Sequence, residues 1–142
     1  MNLLRIWQMT EEDAARERAL KTISEFGGHL NRDPESMPAM MSADDALTSP
    51  QRQIVIAGVP QAADTRKMLD LVWGRYLPNS ILMLADQGAG QQELGRSLPF
   101  LRNMRPKNGK ATAYVCQNYL CNLPSSDPEV VARLLDGELP RQ

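Results

Sequence analysis

Two cysteines and a single histidine, with the acidic doublets Glu11-Glu12 and Asp44-Asp45, are the side chains with the most evident chemical capacity. Cys116 and Cys121 form a C-x4-C pair after the apolar run Ala111-Thr-Ala-Tyr-Val-Cys116. If Gln117 to Leu120 turn the chain, the two Cβ atoms come within disulfide range, and the pair could act as a thiol–disulfide relay. Redox pairs are more often C-x-x-C at a helix N-terminus, where the dipole lowers the first thiol's pKa. Here the first cysteine closes a strand, and no Lys, Arg or His lies inside the motif. Burial of such a thiol raises its pKa and suppresses the thiolate. Both cysteines are therefore expected to be reduced structural thiols, with the redox pair as the alternative.

The other candidates weigh toward structure. Sugar hydrolysis needs two carboxylates across a cleft, whereas adjacent residues on a helix point about 100° apart. The acidic doublets thus read as helix-start charge and solvated face. His29 follows Gly27-Gly28, in a predicted turn, with no Asp or Ser at motif spacing. Val55-Ile-Ala-Gly58-Val-Pro60 before a helix invites a phosphate-loop reading, but no Gly-x-Gly-x-x-Gly or Gly-Lys-Ser/Thr is present and Asp64 would repel an anion. Met37, Met40 and Met41 space like a packing face. One histidine and two cysteines do not make an ordinary zinc site, so no metal and no cofactor is expected. A small ligand held at the strand ends near Gly58 and Asp86 remains an open alternative, since open α/β sheets bind there.

The elements that would position these residues fall in two parts. Residues 1–49 read as helical: Leu3, Leu4, Ile6 and Trp7 belong to an apolar helix at the start, followed by an αα-hairpin with one helix starting at Thr10-Glu-Glu-Asp13 and stopping at Gly27-Gly28, and a second from Asp33-Pro34 to Ser49-Pro50. Residues 50–142 read as a small α/β layer. Gln53 to Gly58, Ser80 to Ala85 and Ala111 to Cys116 are β-branched or apolar runs of strand length. A broad apolar face predicts a helix over 65–76, giving strand–helix–strand spacing for a βαβ unit with strands 54–57 and 81–85 parallel. Tyr119 to Leu123 could return as a fourth strand, and Ser126 or Asp127 caps a last helix. The expected class is α/β, with a mostly parallel three- to four-stranded sheet covered by helices on both faces.

With 142 residues, a net charge of −1 and a pI of about 5.8, the chain lacks the basic surplus of a nucleic-acid binder. Arg102, Arg105, Lys107 and Lys110 are broken by Pro106 and Gly109 and read as a solvated loop rather than a phosphate track. No apolar run approaches the roughly 18 residues of a membrane span. Met1 to Met9 lack the features of a signal peptide, and sparse cysteine favours a reducing compartment, so a cytoplasmic location is expected.

The last third carries a more specific pattern: Gly109-Lys-Ala-Thr-Ala-Tyr-Val-Cys116, then Cys121, Leu123-Pro124 and Asp127-Pro128. Together with Asn2-Leu-Leu-Arg5, Val55-Ile-Ala-Gly58, Asp64-Thr65, Leu77-Pro78-Asn79 and Leu98-Pro99-Phe100, it resembles the C-terminal region of the thioredoxin domain-containing, spermatogenesis-associated redox protein family. The resemblance runs nearly the whole length of the chain. It implies a parent with an N-terminal thioredoxin-like domain bearing a Trp-Cys motif, then an (α/α) toroid similar to six-hairpin glycosidases. This sequence holds no Trp-Cys dipeptide. Residues 1–49 then correspond to the final toroid helices, and residues 50–142 to the closing α/β module. The expectation is a non-catalytic structural and interaction module, with no enzyme site of its own. Its expected partner is the thioredoxin-like and toroid part of the parent, or a second copy through residues 1–47.

Overall fold

The computed structural model describes residues 1–118 and 120–138, which divide into two compact units, 1–51 and 52–138 within the second. Unit 1 is helical: α1 (Asn2–Thr10), α2 (Asp13–Arg32) and α3 (Pro38–Thr48), with a 3-10 turn at Pro34–Ser36 before α3. Its small core joins Leu4, Ala19, Ala43 and Ala46, flanked by Leu3, Trp7, Ile23 and Leu47. The alanines let the helices approach closely, and Arg16 stacks over the Trp7 ring at 5.1 Å.

Ahead of the α2–α3 hairpin, the apolar start at Leu3 to Trp7 forms a full helix of its own, Asn2–Thr10, and one expectation is corrected. Helix α2 does not stop at Gly27-Gly28 but continues to Arg32. Glycine costs a helix interior about 1 kcal/mol relative to Ala, and burial of Leu30 beyond the pair offsets part of that. Glu11, in the left-handed conformation at φ 58°, ends α1, and Glu12 caps α2, so the Glu11-Glu12 doublet marks a turn.

Unit 2 is α/β. Strands β1 (Arg52–Ala57), β2 (Ser80–Ala85), β3 (Thr112–Gln117) and β4 (Leu120–Cys121) form one sheet in the order β2-β1-β3-β4. β1 and β2 are parallel, with Ile54 opposite Leu82, and α4 (Ala63–Trp73) connects them. β3 runs antiparallel to β1, and β4 antiparallel to β3. The sheet is therefore mixed, not mostly parallel. The reason lies between β2 and β3: α5 (Ala89–Ser97) and a 3-10 segment (Pro99–Asn103) return the chain to the sheet at the end where β1 and β2 finish.

Both faces are covered, as the unbroken apolar runs require. Ile54, Ile56, Ala113 and Val115 share one face and pack with Met68 and Val72 of α4 and Val131 and Leu135 of α6 (Pro128–Leu135). Tyr114 lies on the other face, where its hydroxyl donates to the Arg105 carbonyl at 2.8 Å and holds down the segment after α5. Asp127 caps α6 by accepting from the Glu129 amide at 2.9 Å. The bidentate pair of Arg75 with Asp136, at 2.7 and 2.8 Å, ties the second residue past α4 to the end of α6. No helix among the described residues is long and apolar enough to cross a membrane.

Candidate functional site

The cysteines meet at the β3–β4 hairpin. Gln117 pairs with Leu120 and Cys116 with Cys121, and Asn118, just past β3, has φ 49°. Tight hairpin turns favour residues that tolerate positive φ, and Asn is among them. The Asn122 amide donates to the Val115 carbonyl at 3.0 Å, which leaves Cys116 and Cys121 as the non-hydrogen-bonded pair between two bonded ones. In such a pair the side chains come closest. The structure joins them in a disulfide, with Cα atoms 3.8 Å apart. The expectation of reduced, separate thiols is corrected. Burial and the absence of a C-x-x-C motif argue for free thiols, but direct opposition across the β3–β4 pairing decides the geometry. Cys116 is 5% exposed, whereas Cys121 on the edge strand is open to solvent.

Removing this cross-link is the first expected effect. It closes a short loop, with a sequence separation of 5, and loop-closure entropy for a ring of that size is worth about 2 kcal/mol. Cys116→Ala with Cys121→Ala should lower the urea midpoint accordingly and leave m unchanged. Reduction of the native chain should give the same shift.

His29 lies in the last turn of α2, not in a turn between helices, and its Nε2 is 3.1 Å from Ser36 Oγ. The Ser36 hydroxyl also lies 2.8 Å from the Asp33 carbonyl, to which it can donate. Asp45 receives the Ser49 hydroxyl at 3.0 Å at the end of α3, and Asp44 beside it is exposed. Among the described residues no group of three or more His, Cys, Asp or Glu is placed to hold a metal ion.

At the strand ends, Gly58 extends the parallel ladder through its amide to the Ala85 carbonyl at 3.1 Å. Asp64 sits inside α4, whose N-cap is Ala62. Its carboxylate accepts from the Ala111 amide at 2.7 Å and the Thr65 amide at 2.9 Å, fastening the helix start to the entry of β3. Asp86 accepts from the Gly88 and Gln91 amides at 2.8 and 2.9 Å and so fills the N-terminus of α5. The Ala111 amide holds the Asp64 carboxyl below its usual pKa, and the Gly88 and Gln91 amides do the same for Asp86. A carboxyl depressed on folding stabilises the fold above its unfolded pKa and loses that contribution as pH falls through the folded value. Urea midpoints should thus fall as the pH drops below about 4. Asp64→Asn with Asp86→Asn should flatten that decline, and an unchanged pH profile in the double variant would refute the assignment.

Beyond Asp86 lies a cavity of about 230 Å³ lined by Gln87, Gly88, Gln91, Gln92, Arg102 and Arg105. The sequence reading assigned the two arginines to a solvated loop. The signal available was composition, two arginines and three glutamines with no carboxylate among them, but the residues are separated along the chain and share no motif spacing.

No protein-family model matches this chain, and no solved structure matches it. Spermatogenesis-associated protein 20 of Rattus norvegicus is 37% identical over 134 residues, which is 94% of this chain and 17% of that protein. The Homo sapiens protein of the same name is 37% identical and the Mus musculus protein 36%, with the same coverage. The chain is thus homologous to a stretch of Spermatogenesis-associated protein 20 and spans about 17% of the length of the curated relatives it matches.

Proposed function

We propose that this chain serves as the C-terminal structural and interaction module of a longer, cytoplasmic, thioredoxin-domain protein with a six-hairpin-glycosidase-like toroid. The observation that carries the reading is the homology: nearly the whole chain aligns with only 17% of each relative. The surface of unit 1 supports it. Ile6, Phe26 and Met41 each remain exposed on a unit whose core is made chiefly of alanine, and a small helical unit with so little apolar burial gains most by packing against a partner. In this reading residues 1–49 complete the toroid, residues 50–142 close over it, and neither part carries a catalytic centre.

The test is sedimentation of the purified chain, alone and with a separately produced toroid from a longer homologue. The chain alone should self-associate, and the toroid should displace that self-association. Ile6→Glu with Phe26→Glu should abolish both. A monodisperse monomer with no affinity for the toroid would defeat the proposal.

A second reading is favoured by the disulfide itself. In a reducing compartment a pair that readily closes is more often redox-active than structural. A partner dithiol would attack the exposed Cys121 sulfur, releasing Cys116 as the thiolate. The partner's second thiol would then resolve the mixed disulfide, leaving two thiols here and a disulfide on the partner. Equilibration in glutathione buffers, quenched by alkylation and weighed by mass spectrometry, tests this reading. Conversion within the cytosolic range of potentials supports a relay, and a disulfide that persists throughout that range excludes it.

A further inference from the structure

β1 leaves the sheet toward α4, and β2 leaves toward α5. The α4 face carries Ile54 and Ile56, whereas the segment after α5 is bonded to Tyr114 on the opposite face. Adjacent parallel strands whose exits diverge in this way open a crevice at their carboxyl ends, where ligands of open α/β sheets bind. The cavity of about 230 Å³ lies just past β2, and no carboxylate lines it.

Its wall is fixed. The buried Gln91 donates through Nε2 to the Leu101 and Met104 carbonyls at 2.6 and 3.0 Å, and its Oε1 accepts from the Gln87 amide at 2.9 Å. Arg102 donates through Nε to the Gly95 carbonyl at 2.6 Å. Its stem lies so close to Gly95 that a Cβ there would come within 2.8 Å of Arg102 Cγ. Anchoring through Nε leaves both terminal nitrogens of Arg102 for a ligand. Arg105 is held through one terminal nitrogen to the Met104 carbonyl at 3.0 Å. Among the described residues neither guanidinium has an ion-pair partner. Asp86 has its carboxylate turned to the Gly88 and Gln91 amides.

From this we propose that the α5 cavity is a binding site for a single phosphoryl group, free or esterified, held by Arg102 and Arg105 with Gln92 at its edge. Two guanidiniums match a dianion in charge, and their forked donors match tetrahedral oxygens. The volume suits one small phosphorylated molecule rather than a polyanion. The proposal goes beyond the module reading and does not depend on it.

The experiment is titration of the isotope-labelled full chain with inorganic phosphate at constant ionic strength, followed by amide and arginine Nε–H resonances. Saturable shifts are expected at Gly88, Gln91, Gln92 and Arg102. Arg102→Gln with Arg105→Gln should weaken binding at least about tenfold. Arg96→Gln should not, because that guanidinium is already engaged by Glu93 at 2.7 Å. Gln92→Glu, at an exposed position, should remove binding without disturbing the fold, which keeps the test open if the double variant is unstable. Phenyl phosphate binding as well as inorganic phosphate assigns the site to an ester, and binding of inorganic phosphate alone assigns it to the free ion. Shifts that never saturate, or phosphate binding unchanged in Gln92→Glu, would overturn the site.

Discussion

Ile56→Ala should destabilise unit 2 by about 3 kcal/mol, within the usual range for truncating a buried Ile. Ile56 is 0% exposed and sits in the central strand, opposite Leu84 on β2 and Ala113 on β3. With small Ala113 as one neighbour, the isoleucine fills much of the space beneath α4 and α6, and hydrogen-bonded strands on both sides limit collapse into the void. Ile56→Val removes one methylene and should cost about 1 kcal/mol. Hydrogen exchange at the β1 and β3 amides isolates the effect to this unit, because those amides exchange through the opening that breaks the sheet. A loss below about 1 kcal/mol for the alanine variant would mean that the core relaxes, contrary to its packing against both helices.

Elements held by apolar side chains were legible, and those held by polar ones were not. Gln53 to Gly58 and Ser80 to Ala85 were readable as strands because burial on both faces demands an unbroken apolar run. Helix α4 was readable from its broad apolar face, though it ends at Trp73 rather than residue 76. Helix α5 left almost no trace, since the residues it buries are Gln91 and Gly95. Hydrophobic periodicity cannot find a helix whose inner face is an amide and a hydrogen atom. The same polarity hid the cavity: Gln91 reaches Leu101 and Met104, and those links exist only once the 3-10 segment folds back.

The direction of β3 was similarly out of reach. An apolar run specifies burial but not which way the strand runs, and the antiparallel choice follows from where the α5 segment delivers the chain. The disulfide lay in between. The C-x4-C spacing allowed it, and the pairing of Gln117 with Leu120 continues the ladder that sets Cys116 opposite Cys121. Spacing alone left the choice between a disulfide and two buried thiols open, and the strand pairing that sets the two side chains face to face decides it.

Gly58→Ala should cost about 2–3 kcal/mol, toward the upper end of overpacking penalties. A Cβ at Gly58 would lie 2.3 Å from Thr65 Oγ1 and 3.2 Å from the Ala111 Cβ. Neither neighbour yields easily. Thr65 is fully buried in the first turns of α4, its β-branched side chain has few rotamers, and Ala111 is tied to Asp64 through its amide. Gly58 therefore serves close approach of helix to strand, not a left-handed turn. Thr65 Oγ1 itself is buried with no hydrogen-bond partner, and an unsatisfied buried hydroxyl costs about 1–3 kcal/mol. Thr65→Val keeps the shape and removes that penalty, so it should be neutral or stabilising by about 1 kcal/mol. Thr65→Ala removes the atom that the new methyl would strike. Combined with Gly58→Ala it should recover more than half of the loss, a coupling that a double-mutant cycle in urea measures directly. Strict additivity of the two changes would show that the cost at Gly58 arises elsewhere. A marked loss in Thr65→Val would show that the hydroxyl has a partner, such as a buried water.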